Sequence, residues 1–172
     1  MPLRSAFLAI VLMIAVPALA DEPSMGPVIE GYGPTYPIDD RDVPLREGFV
    51  YKVVFDIAQD PTAGKVNRNL VSVARFLNMH ARNGVPVGNM NLAVVVHGPA
   101  VRNLLDKDDN PNLELIALLQ ESGVDFYVCG QSMTFGGIKK NELTRGVKIA
   151  LSAMTMLTIL QSEDYALLPW GA

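Results

Sequence analysis

The sequence predicts an α/β domain built on a parallel sheet with helices on both faces, and three observations carry that prediction. Short aliphatic runs without polar alternation recur along the chain, as strands buried on both faces do. Segments with three-and-four apolar spacing or capping residues lie between them, so strands and helices alternate. Of the 172 residues, 49% are hydrophobic and 19% charged, which supplies one sizeable core and argues against disorder.

The first twenty residues stand apart from that fold. Arg4 supplies a basic start, Ala6 to Val16 an apolar run, and Ala18-Leu19-Ala20 a small-residue cleavage pattern, so residues 1–20 read as a signal peptide. An uncleaved anchor is the alternative, although the run is shorter than the roughly 20 residues a membrane helix needs. Residues 21–48 form an arm interrupted by five prolines and four glycines. Its apolar residues Val28, Ile29, Tyr32, Tyr36 and Val43 fit either a segment laid on a surface or a disordered leader. Residues 49–172 then make the α/β domain.

Within it, Tyr51 to Ile57 is a β-branched apolar run and reads as the first strand. Asn67 to Asn83 follows as a helix, with Leu70, Val73, Leu77 and Ala81 on one face, Asn67 as N-cap and Gly84 beyond the end. Leu92 to Val96 is an aliphatic strand ending at His97-Gly98, and Asn110-Pro111 opens a helix that Gly123 closes. Val124 to Val128 is the third strand and runs into Cys129-Gly130. Lys139 to Leu143 reads as a short helix, Val147 to Leu151 as a fourth strand, Ser152 to Gln161 as a helix capped by Ser152, and Tyr165 to Leu168 as a fifth strand stopped by Pro169.

A net charge of −4 argues against a nucleic-acid partner, because phosphate binding needs a basic footprint. No polybasic cluster marks a membrane surface, so no membrane contact is expected after signal cleavage, and the expected location is the periplasm. In that oxidising compartment the single cysteine has three options. Cys129 is buried and inert, bridged to another molecule, or kept as a working thiol.

Ligands of open parallel sheets gather beyond the carboxyl ends of the strands. Asp56, His97, Cys129 and Ser152 end strands here. In Tyr-Val-Cys-Gly-Gln-Ser-Met, Gly130 permits a tight turn and close approach of another backbone. Free N–H groups of a helical turn over 131–134 would favour a Cys129 thiolate, the nucleophile of sulfur exchange. His97 either acts as base and thiolate partner or is bonded to a neighbouring loop. If the second and third strands are adjacent, their tips lie roughly 5 Å apart and direct pairing is feasible. The expected catalytic residues are therefore Cys129 and His97, with Gly98, Gly130, Gln131 and Ser132 as substrate-binding positions. His80, at the edge of an apolar stripe, is expected to do nothing chemical.

Other patterns are incomplete. One cysteine and two scattered histidines do not make a metal site, and Asp106, Asp108 and Asp109 lack the glycine and distal glutamate of a calcium loop. Met133, Met154 and Met156 read as core packing, and Gly136-Gly137 opens no phosphate loop. Cys-Gly-Gln-Ser has the spacing of a monothiol redox site but falls late in the chain for a thioredoxin-like fold. No metal and no cofactor are expected.

The stretches LAVVVHGPA (92–100), NPNLELIALLQESGVDFYVCGQSM (110–133) and VKIALSAMTMLTILQSEDYALLP (147–169) together resemble the DsrE/DsrF-like sulfur-relay family. The resemblance implies a three-layer α/β/α fold with a five-stranded parallel sheet ordered 4-3-2-1-5, which would seat His97 beside Cys129. It also implies a homo-oligomer, trimer or hexamer, with the arm, Leu168 and Trp170 as candidate contacts. In that family a cysteine accepts sulfur as a persulfide and passes it on, and Cys129 is similar in placement. The expected partners are then a small sulfur compound or a sulfur-accepting protein. The alternative is a non-enzymatic oligomeric binding or assembly module in which Cys129 is structural.

Overall fold

The computed structural model describes residues 22–59 and 62–169; the segment read as a signal peptide, and Trp170, lie outside the described residues. Five strands form one sheet: β1 (Tyr51–Ile57), β2 (Met90–Val96), β3 (Asp125–Cys129), β4 (Lys148–Ala150) and β5 (Ala166–Pro169). Every pairing is parallel and the order is β4-β3-β2-β1-β5, as the resemblance implied. Central β2 is buried at six of its seven positions, which is why its sequence shows no alternation.

Alternation along the strands divides the core. Phe55, Ile57, Leu92, Val94 and Phe126 face α1 (Arg68–Arg82) and α2 (Leu113–Glu121). Val54, Ala93, Val95 and Cys129 face the opposite side, where α4 (Ala153–Ser162) covers them through Ala153 and Leu160. This second layer is thin. Leu151 and Met154 at its edge are 72% and 78% exposed, so Met154 is not the core residue expected. Met133 is buried on the first side and Met156 is half-buried on the second.

The helix ends follow local chemistry. Asn67 Oδ1 accepts from Asn69 N at 2.8 Å, and Ser152 Oγ from Thr155 N at 3.0 Å, so both expected caps form. Asn110-Pro111, expected to open α2, lies outside it. Asn110 Nδ2 donates to the carbonyls of Asn103 and Leu105, which ties it to the preceding 3₁₀ segment, Gly98–Leu104. The helix starts at Leu113 behind Asn112. The short helix expected over 139–143 is a single 3₁₀ turn, Lys140–Glu142.

Residues 22–35 of the arm are laid on α1. Ser24 and Thr35 exchange backbone hydrogen bonds of 2.9 and 3.0 Å, closing a loop. Asn78, fully buried, fills that loop. Its Oδ1 accepts from Val28 N and Ile29 N, and its Nδ2 donates to the carbonyls of Ile29, Tyr32 and Gly33. Gly33 has φ +65°, and a Cβ there would lie 2.3 Å from Arg75 N, so only glycine allows this approach. Tyr36, Ile38 and Val43 beyond the loop remain exposed.

His80, on α1, stacks on Phe76 with ring centroids 4.0 Å apart, and its Nδ1 lies 2.9 Å from the Phe76 carbonyl. Burial pushes its pKa down against the opposing pull of that carbonyl. Above about pH 6.5 the ring is neutral in both folded and unfolded states and this contribution to stability is complete. Below it the unfolded chain takes up a proton the folded ring resists, so stability falls as pH drops. Denaturant unfolding at pH 7.5 and 5.5 should show a smaller difference for His80→Gln than for the parent; equal differences would remove His80 from the account.

Candidate functional site

Asp56, His97 and Cys129 share one side of the sheet at its carboxyl edge. Register pairs Asp56 with Val95, and Val96 with Val128, so the two-residue alternation brings all three to the α4 side. His97 continues β2 in extended conformation and lies between the other two. Its ring is engaged by β1: Nε2 lies 2.9 Å from Asp56 Oδ1, with both side chains about one-third exposed, at 31% and 28%. Cys129 is on the opposite flank, and its charge state is governed by other groups.

Cys129 is 5% exposed, at the point where β3 becomes the short helix α3 (Gly130–Phe135). Burial alone pushes its pKa up. Hydrogen bonding to the Ser132 hydroxyl and to the amides of Ser132, Ala153 and Gln131 more than offsets that, and leaves the thiol below its ordinary value. Cys129 is the N-cap of α3 and its side chain makes no capping hydrogen bond of ordinary geometry there, so these groups lower the thiol pKa through their dipoles. Gln131 and Ser132 belong to the first turn of α3, and Ala153 is the first residue of α4. Two helix N-termini therefore meet at one sulfur, each carrying partial positive charge.

Two details build this convergence. A Cβ on Gly130 would lie 2.8 Å from the Ala150 carbonyl oxygen, so glycine lets α3 start against the end of β4, from which α4 departs. Ser132 Oγ accepts from Gly98 N at 2.9 Å, which leaves its own proton for the sulfur. Ser132→Ala should raise the thiol pKa. The pH profile of Cys129 alkylation checks this: its midpoint should move up relative to the parent, and an unmoved midpoint would mean the hydroxyl is not a donor to the thiolate.

Beside Ser132 lies a cavity of about 810 Å³ between the Gly98–Leu104 segment, α3 and the Lys140–Glu142 turn. Gly98, Gln131 and Ser132 line it, together with Arg102, Lys107 and Phe135. Cys129 and Gly130 do not. Among the described residues, no group of three or more His, Cys, Asp or Glu side chains is placed to hold a metal ion.

The sequence pattern of the DsrE/DsrF-like family matches residues 52–170. The chain belongs to the DsrE/DsrF-like family. Membership implies a sulfur-relay-related function. Among solved structures, the protein of unknown function MTH1491 from Methanobacterium thermoautotrophicum is 24% identical, with a TM-score of 0.57 over 69% of this chain and 98% of that one. The YchN protein from E. coli is 16% identical, with a TM-score of 0.54 over 70% of this chain and 100% of that one. These likenesses show the fold. Among curated proteins, none matches significantly.

In this DsrE/DsrF-like chain the expected site residues separate into two groups. Gln131 and Ser132 touch both the sulfur's donor set and the cavity, and Gly98 joins them through its amide. Gly130 acts through backbone approach alone, and His97 is held by Asp56. Sequence reasoning missed the Ala153 amide, the cations Arg102 and Lys107, and Phe135. The signal for Phe135 was available: a large aromatic just before Gly136-Gly137, and it is 97% exposed.

Proposed function

We propose that this DsrE/DsrF-like protein is a periplasmic sulfur carrier that holds sulfane sulfur as a persulfide on Cys129. One observation carries the reading: the single thiol of the chain sits where two helix N-termini and a serine hydroxyl stabilise its charged form, and two of those donor residues, Gln131 and Ser132, line a cavity. The thiolate attacks the outer sulfur of a donor R–S–SH, the donor's S–S bond breaks, and R–S⁻ leaves with the bonding pair while the proton stays on the transferred sulfur. Delivery reverses the roles: an acceptor thiolate takes the outer sulfur and Cys129 leaves as thiolate. His97, held by Asp56, lies at the same carboxyl edge of the sheet as the sulfur. The periplasmic assignment rests on the leader sequence.

Intact-mass spectrometry after exposure to inorganic polysulfide tests this. Wild type should gain one sulfur atom, reversed by a thiol reductant, and an unmodified protein would end the carrier reading.

A second reading is a homo-oligomeric assembly module in which Cys129 is packing, and the 5% exposure of that residue favours it. Leu151, Met154 and Ile159 on the thin α4 layer are exposed apolar residues that a second copy of the chain would cover. On this reading a thiol reagent labels Cys129 only after denaturation, whereas the carrier is labelled in its native state.

A further inference from the structure

The stretch Gly98–Leu104 is a 3₁₀ run of seven residues, and runs longer than about four are uncommon because their hydrogen bonds are poorly aligned. Side chains hold this one in place. Asn103, buried, donates from Nδ2 to the Ala100 carbonyl at 2.7 Å. Its Oδ1 accepts at 3.2 Å from Asn112 Nδ2, which also donates to Asn110 Oδ1 at 2.9 Å. Asn112 Oδ1 accepts from Asn67 N at 2.8 Å. Asn110 Nδ2 closes the set on the carbonyls of Asn103 and Leu105. Three carboxamides, each engaged through both its oxygen and its Nδ2, thus tie the run to the starts of α1 and α2.

The other end of the run meets the sulfur site. Gly98, its first residue, donates from N to Ser132 Oγ at 2.9 Å. Against the upward push of burial, the Ser132 hydroxyl is the strongest of the groups that pull the Cys129 thiol below its ordinary value. A hydroxyl that accepts a hydrogen bond donates more strongly through its own proton, because linked bonds polarise one another. We propose that Asn103, Asn110 and Asn112 are positioning residues for Cys129: by fixing the 98–104 run they keep the Gly98 amide on the Ser132 hydroxyl, and that hydroxyl turned toward the sulfur. The functional meaning rests on the carrier reading, in which thiolate is the working form; the positioning itself does not.

The ultraviolet absorbance of the thiolate across a pH series tests this on the full protein, taken in each background as the difference from Cys129→Ser. Asn103→Ala and Asn110→Ala should each move the midpoint up, leaving roughly threefold less thiolate at a pH below both midpoints. Asn110 is half-buried, so its variant keeps the test open if Asn103→Ala does not fold. Added to Ser132→Ala, either change should move the midpoint no further than Ser132→Ala alone, because the route to the sulfur is already cut. Asn78→Ala, which loosens the arm on α1, should leave the midpoint where it is. Lys52, Asp56, His97, Asp125, Tyr127 and Lys148 share the sulfur's side of the sheet by register, and Arg102 lies on the run itself; these variants leave all of them unchanged. An unmoved midpoint in both asparagine variants overturns the inference and leaves the carrier reading standing. An additive shift on Ser132→Ala overturns it too, as does an equal shift from Asn78→Ala, which would tie the thiol to stability in general. A shift that depends on Ser132, in a protein that takes up no sulfur from inorganic polysulfide, supports the positioning and ends the carrier reading instead.

Discussion

Cys129→Ser is expected to abolish sulfur loading, to the level of a protein with no cysteine at all. The reacting species is a thiolate, and a serine hydroxyl does not ionise near neutral pH under the same donors. The chain holds no second cysteine to substitute. The replacement differs from the parent by one atom, so the fold should be retained, with a stability change on the order of 1 kcal/mol. The comparison with Ser132→Ala sharpens the result: that variant keeps the nucleophile and should load more slowly at neutral pH, with the deficit shrinking as pH rises and the thiol ionises unaided. Adduct formation on Cys129→Ser equal to wild type would place sulfur elsewhere on the protein and remove the carrier reading.

Asn78→Ala should cost on the order of 4 kcal/mol of unfolding free energy, the largest single-site loss of stability expected here. Asn78 is fully buried, and its amide serves two N–H groups and three carbonyls of residues 28–33. Truncation leaves those backbone groups facing α1 without water or partner, and each unsatisfied buried group costs about 1–3 kcal/mol. The arm then peels away as the cheaper outcome, so limited proteolysis within residues 22–35 should accelerate far more than cleavage in the sheet. Asn78→Asp keeps the acceptor but removes the donors to three carbonyls and should fall between. A loss for Asn78→Ala below about 1 kcal/mol would mean the arm adds nothing to the fold.

How much of this was legible in the sequence depends on the reach of the interaction. The strands were readable because β1, β2 and β3 are buried on both faces, which removes polar alternation and leaves aliphatic runs. The caps Asn67 and Ser152 were readable because a cap is a local bond, two or three residues long. Asn110-Pro111 misled because its bonds run backward to Asn103 and Leu105, and no forward helical pattern records them. The arm's apolar residues allowed a surface-laid segment, but where it seats was not legible: the Asn78 contacts span 45 to 50 residues, and a polar residue beside an apolar stripe looks like surface. At the site, Cys129 could be placed from its own strand end. The Ala153 amide could not, because only the pairing of β4 with β3 brings α4 to the sulfur. Nor could the pairing of His97 with Asp56, which needs β1 and β2 to be neighbours in the right register.

The donor set around Cys129 is fitted to a single atom, Sγ, and on the proposed role that has a consequence for the direction of traffic. Loading moves the titrating end of the side chain one bond outward, beyond hydrogen bonds drawn to Sγ. The protein then stabilises its discharged form better than its charged form. When an acceptor pulls the outer sulfur away, Sγ is the departing atom, and departing thiolates of lower pKa leave faster. Such a cradle makes the protein a ready giver of sulfur and a poor store for it.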